Sequence, residues 1–249
     1  MKAFLGVVAA ATLLVSLPAF GHGGIVDLSV YDRTEGRRLQ VYWHEGRAYI
    51  AGRPGNEYQV TLRSRQSEDV LAVVSVDGVN VITGETANPS QSGYVLAPRR
   101  GLDILGWRKS LSQTAAFYFT ALPDSYAART GRPDDVGVIG VALFRRKQQP
   151  QPLSQFAPAA PARAEASADA ASGSRSQERD ARLGTGHGRQ EHSPAVNVTF
   201  ERATSSAAEV ITLYYDSHVN LLARGIIRDP VRVAPVPPRP FPGFVPDPA

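Results

Sequence analysis

Cysteine is absent from all 249 residues, so no disulfide can staple the chain and no thiol can carry a lipid anchor. Stability must then come from hydrophobic burial, which favours one core of reasonable size over several small ones. Long apolar runs are scarce. The one at 3–17 is shorter than the roughly 20 residues a membrane helix needs. Charge of one sign is also scarce: 27 basic residues face 23 acidic ones, a formal net charge of +4 that includes Lys2. This is too weak to argue for nucleic acid and reads as an ordinary solvated surface with a mild attraction to anionic cell-surface polymer. A Gly-x-Ser-x-Gly elbow is missing, and no Ser, His and acid set has a supporting local signature.

What is present begins with Lys2, the apolar run 3–17, Pro18 and the small-residue stretch Ala19-Phe20-Gly21. That is the pattern of a secretory signal peptide cut before His22 or just after Ala19. The expected organisation is a signal peptide at 1–21, a β-rich core with N-terminal strands at 25–147, a linker at 148–182, a small strand-strand-helix unit at 183–229 and a Pro-rich tail at 230–249. The linker is dominated by Ala, Pro, Ser and Gln and lacks the large apolar residues that would offset its ordering entropy. The small unit is too short to fold alone and should dock on the core, adding to a sheet edge. The tail reads as extended.

Within the core, Tyr58, Val60 and Leu62 alternate with Gln59, Thr61 and Arg63, the period of a half-buried strand. The runs 70–76 and 136–144 are apolar on both faces and read as central strands. Asp77-Gly78 between apolar runs is the strongest hairpin signal, and further short strands are expected at 79–82, 94–96, 102–107 and 115–121. N-terminal runs at 25–31 and 37–43 suggest a hairpin, with a third run at 48–51. Asp124 is placed to cap a short helical turn, while 196–202 and 209–215 read as strands before a helix at 218–223 capped by Asp216 and stopped by Gly225. The fold class is mainly β: an antiparallel sandwich or barrel-like core with a small tethered appendage.

The segments Ser75-Val76-Asp77-Gly78-Val79-Asn80-Val81, Gly93-Tyr94-Val95-Leu96, Gly106-Trp107-Arg108-Lys109-Ser110 and Ala116-Phe117-Tyr118-Phe119-Thr120, together with 124–133, resemble an uncharacterised family of exported bacterial proteins. The resemblance covers roughly 49–144 and, more loosely, 183–228. It carries no assigned activity, so it implies a bacterial envelope domain and no functional residues.

If successive core strands run antiparallel, the connections alternate between the two ends of the stack. Loops 64–69, 84–92 and 108–113 are then expected at one end, and 77–78, 98–101 and 122–135 at the other. The first end gathers Glu85, Asn88 and Gln91 beside Trp107, Arg108 and Lys109, an aromatic platform next to cationic donors that suits an anionic or sugar-bearing ligand. The plain alternative has Trp107 plugging the core while Arg108 and Lys109 stay in water.

Other motifs have plain readings. The Gly-rich 183–188 suggests a phosphate cradle but lacks the flanking strand and helix, so it reads as a flexible lead-in. His187, Glu191 and His192 have the wrong spacing for a zinc motif. Asp134-Asp135 beside Arg132 reads as a turn with a cap or salt bridge, Phe117 to Phe119 as packing, and Arg145-Arg146-Lys147 as a solvated boundary. The resulting expectation is an exported, periplasmic or secreted non-enzymatic module that binds an envelope protein or anionic surface polymer, with no cofactor. The alternative is a copper- or zinc-binding periplasmic protein or metalloenzyme using a mature N-terminal His22, with His44 as the partner ligand.

Overall fold

The computed structural model describes residues 24–148 and 182–228. The expected signal peptide, His22, nearly all of the expected linker and the Pro-rich tail lie outside the described residues. In chain order the elements are β1 (Val26–Asp32), β2 (Arg37–Arg38), β3 (Val41–His44), β4 (Arg47–Gly52), β5 (Glu57–Ser64), β6 (Val70–Val76), β7 (Val79–Asn80) and β8 (Tyr94–Leu96). They continue with β9 (Gly101–Ile104), β10 (Gly106–Arg108), β11 (Gln113–Ala121), a 3₁₀ turn (Leu122–Asp124), α1 (Tyr126–Arg129), β12 (Val138–Arg145), β13 (Leu183–His192), β14 (Glu209–Ser217) and α2 (His218–Ala223).

Two seven-stranded sheets pack face to face. One runs β10-β11-β5-β1-β2, with β13 also on β11 and β9 also on β5; the other runs β3-β4-β14-β12-β6-β7, with β8 also on β6. Every pairing is antiparallel except β4 with β14, which is parallel. The chain is thus mainly β, a sandwich with few helical residues. Alternation in β5 places Tyr58, Val60 and Leu62 fully inside, while both faces of β6 are buried. The outer face of β6 and β12 is apolar because it too is covered. Leu71, Val73, Ala142 and Phe144 pack there with Phe200 and Ala207.

Several expected elements are corrected. The run 37–43 does not form one arm of a hairpin: β2 pairs with β1, the chain then crosses at buried Leu39, and β3 joins β4 in the other sheet. The stretch 196–202 forms no strand and instead lies over the second sheet, its Phe200 ring under Arg146 and Arg202 over Phe144. Ser125 and Ser217, rather than Asp124 and Asp216, cap the two helices, each accepting a backbone N–H three residues on. Asp216 is buried and its Oδ1 accepts from the Ser217 N–H and the Asn220 amide.

The Gly-rich run is the largest correction, because it is a strand rather than a lead-in. Its glycines are needed for close approach: a Cβ on Gly186 would sit 2.2 Å from Tyr118 Cζ, and one on Gly184 would sit 2.6 Å from Ser125 Cβ. The segment 183–228 therefore adds one strand to each sheet, β13 beside β11 and β14 between β4 and β12.

A buried polar chain crosses between the sheets. Tyr215 donates its hydroxyl to Asp77 Oδ1 at 2.5 Å, so its oxygen is left to accept from Thr185 Oγ1 at 2.6 Å, which in turn accepts from Tyr58 at 2.6 Å. The backbone N–H groups of Gly137 and Thr185 also donate to the Asp77 carboxylate, at 2.9 and 2.7 Å. Asp77 holds a left-handed conformation (φ 52°) in its turn. Burial pushes its carboxyl up from 3.8 to about 6 against these hydrogen bonds, which pull it down.

A folded-state value above the unfolded one means the native state binds the extra proton, so this contribution to stability is full below pH 3.8 and is lost as pH rises through about 6. The shift corresponds to at most about 3 kcal/mol. Denaturant midpoints compared at pH 4.5 and 7.5 should show a smaller decline in Asp77→Asn than in the native chain. Gly186→Ala should cost more than about 2 kcal/mol in the same assay, because the added methyl has to displace the Tyr118 ring.

Candidate functional site

The six residues singled out from sequence lie in one region, but most are occupied in holding it together. Asn80 organises the loop after β7: its Oδ1 accepts from the Ile82 and Thr83 N–H groups, and its Nδ2 donates to Gln91 Oε1 at 3.1 Å. Gln91 also accepts from the Asn88 N–H and donates to Glu85 Oε2 at 3.2 Å, while Asn88 Oδ1 accepts from the Ser90 N–H and hydroxyl. Arg202 reaches in to donate to the carbonyls of Pro89, Ser90 and Gln91. Glu85, Asn88 and Gln91 are thus bonded chiefly to their own loop.

Trp107 is 3% exposed, and it offers no open face. Its Nε1 donates to the Gly186 carbonyl at 3.1 Å, and its ring meets Phe117 edge-on and Tyr126 at 4.8 Å. The plugging role is the one the structure displays. Arg108 is saturated: it donates to the Tyr94 hydroxyl at 3.2 Å and to the carbonyl and hydroxyl of Ser193. Lys109 is exposed, as are Glu85 and Asn88, and it makes no ion pair among the described residues.

The expected grouping of loops is also corrected. Loops 64–69 and 98–101 lie together, since Arg100 O accepts from the Ser64 N–H and Gln66 O from the Arg99 N–H. Loop 84–92 lies beside 122–135 instead, through Arg132 donating to Gly84 O. The counting fails because β7 and β8 are very short and both pair antiparallel with β6, so the loop between them reverses nothing.

The surface that remains is built on an aromatic ladder. Stacked, tilted or edge-on contacts run from Tyr215 through Phe119, Tyr58, Phe117 and Trp107 to Tyr126, and end at His187, whose ring centroid is 5.6 Å from that of Tyr126. Both Tyr126 and His187 are half-buried. Burial lowers the His187 pKa below 6.5, and the positive charges of Lys109 and Arg129 lower it further, against a backbone hydrogen bond that raises it. Arg129 is exposed and, like Lys109, makes no ion pair among the described residues. Two aromatic rings and two unpaired cations thus share one patch, a combination that can hold an anion or stack against a sugar ring.

Nothing in the sequence marks Tyr126, His187 and Arg129 as one site. It presents His187 only as part of a metal set with Glu191 and His192, and the structure separates them. A β-bulge opposite Ala116 shifts the phase of β13, so Glu191 turns to the outer face, where it bonds Arg33 bidentately at 2.8 and 2.7 Å. Among the described residues no group of three His, Asp or Glu side chains could hold a metal ion. His44 lies on β3 with Glu45 at 3.9 Å. A separate shallow cleft of about 510 Å³ opens between Leu39, Tyr42, Pro54 and Val219, its rim charges already paired as Glu35 with Arg37 and Arg53.

No family model, no curated protein and no solved structure matches this chain.

The His187 ring should titrate below 6.5 by NMR, and Lys109→Ala should move it upward by removing one of the opposing charges.

Proposed function

We propose that this protein is an exported, non-enzymatic envelope module whose Tyr126 and His187 surface binds an anionic, sugar-bearing partner. Support for export is the apolar run 3–17 followed by small residues. Support for binding is one observation above the rest: the aromatic ladder emerges at a half-buried ring pair flanked by Lys109 and Arg129, two cations without carboxylate partners among the described residues. Of the six residues singled out from sequence, Lys109 touches the ligand in this reading. Trp107 backs the Tyr126 ring, Arg108 clamps β10 to the segment after β13, and Glu85, Asn88 and Gln91 shape the neighbouring loop.

An acidic polysaccharide presented to the mature chain should bind more tightly as pH falls and His187 takes up its proton, because the imidazolium then joins the two cations. Lys109→Ala with Arg129→Ala should weaken binding about tenfold at low salt, because two charge-assisted hydrogen bonds to the ligand disappear, without moving the melting temperature. Calorimetric titration checks this. Affinity unchanged in the double variant, together with an unmoved His187 pKa on adding the polysaccharide, would remove the basis for this site.

A further inference from the structure

Opposite the Tyr126 surface lies a pole where the charges do not balance. The strand β12 sets the two ends: it begins at Val138, just after the 122–135 excursion, and ends at Arg145, paired with Val70. Beside Val70 stands Leu96, and the chain turns through 97–100 into β9. This turn is pinned to the loop after β5, with Arg100 N–H donating to Ala97 O, Arg99 N–H to Gln66 O and Ser64 N–H to Arg100 O. Arg63 faces Gly101 across the β5–β9 pair, and Arg145 donates to Gln66 Oε1 at 2.9 Å.

Four exposed arginines, Arg63, Arg99, Arg100 and Arg145, therefore stand in or beside the turn and the Gln66 loop pinned to it. The carboxylates of this pole serve other partners: Asp27 takes Arg65 at 2.8 Å, Asp69 takes Arg146 at 2.9 Å, Asp103 accepts from the Thr61 hydroxyl, and Glu68 accepts from Gln148. None of the four arginines makes an ion pair among the described residues. Arg99 also stands in a left-handed conformation, φ 56°, which a bulky residue adopts at a cost. All four cations are arginine, whose planar fork matches a tetrahedral oxyanion in two parallel hydrogen bonds where lysine offers a point charge.

We propose that this arginine pole is a docking surface for a flexible polyanion bearing phosphate groups along its length. Several weakly held cations at a turn and strand end suit a chain of repeated anions better than one small ion, since each contact releases a counterion. The site shares no residue with the Tyr126 surface, so either can fail without the other.

The probe is inorganic polyphosphate, which carries no sugar ring, titrated against the mature chain at about 50 and 200 mM salt. It should bind, and more weakly at the higher salt. Arg63→Ala with Arg99→Asn and Arg100→Ala should weaken that binding at least about tenfold and flatten its salt dependence, while Arg47→Ala with Arg228→Ala, two exposed arginines of neither surface, stays within about twofold. Asn is chosen at 99 because it tolerates the left-handed backbone, so thermal melting should show the variant folded. The proposal is overturned if polyphosphate does not bind, if the triple variant binds as the native chain does, or if both variants lose affinity equally, which would mark attraction by overall charge.

Discussion

The Asp77 carboxylate is the point on which the two sheets agree. It sits fully buried at the turn after β6, yet receives the Tyr215 hydroxyl from the second sheet, the Thr185 N–H from the first and the Gly137 N–H from the segment entering β12. A buried carboxylate with no such donors would cost several kcal/mol. Here the donors are supplied by chain segments far apart in sequence, so the group is satisfied only when all of them have arrived. Tyr58 and Thr185 extend the chain of hydroxyls, each passing its proton toward the next oxygen, and this makes the order of hydrogen bonds unidirectional from Tyr58 to Asp77. Such a network contributes less to raw stability than an apolar core would, but it discriminates sharply between registers.

Register is the particular difficulty for β13. It reaches its place beside β11 from beyond the segment that follows β12, and its alternation of glycine with Thr185 and His187 must be read in phase. With Thr185 inward, Gly186 passes under Tyr118 and His187 meets Tyr126; slipped by one residue, His187 would be driven into Tyr118 and the Thr185 hydroxyl would leave the chain that leads to Asp77. On the outer face, Arg33, Glu57, Arg189 and Glu191 close an alternating ring of charges that ties β13 back to β5 and the end of β1. Two of its contacts are bidentate, which gives this surface network better geometry than isolated pairs.

The strands legible in the sequence are those whose own side chains carry the period: Tyr58, Val60 and Leu62 on β5, and the apolar runs of β6, β12 and β14. What cannot be read there is whatever depends on a partner. Gly184 and Gly186 look flexible because the reason for them is the Tyr118 ring and Ser125, both supplied from elsewhere in the chain. The pairing of β4 with β14 in parallel is hidden for the same reason, as no local signal links residues this far apart. Leu39 looks like one more residue of a strand, although its burial marks the crossing between sheets. The candidate site is half legible. Trp107 and Lys109 do share one neighbourhood, but the burial of Trp107 and the saturation of Arg108 follow from β13 and the residues just after it, a strand that its glycines disguise.

That same strand explains why the exposed end of the ladder lies one step out from Trp107. Once the Gly186 carbonyl takes the Trp107 N–H, the indole has both its polar atom and its faces committed, and it becomes a rigid base rather than a recognition element. Tyr126 rests on that base from a four-residue helix capped by Ser125, and His187 reaches it from β13, so the two outer rings are positioned by different elements against a common support. The cations beside them come from a third and a fourth place, the β10–β11 turn for Lys109 and the end of α1 for Arg129. A surface assembled in this way is preorganised by the core, since His187 packs on Tyr126, Tyr126 on Trp107 and Trp107 on Phe117.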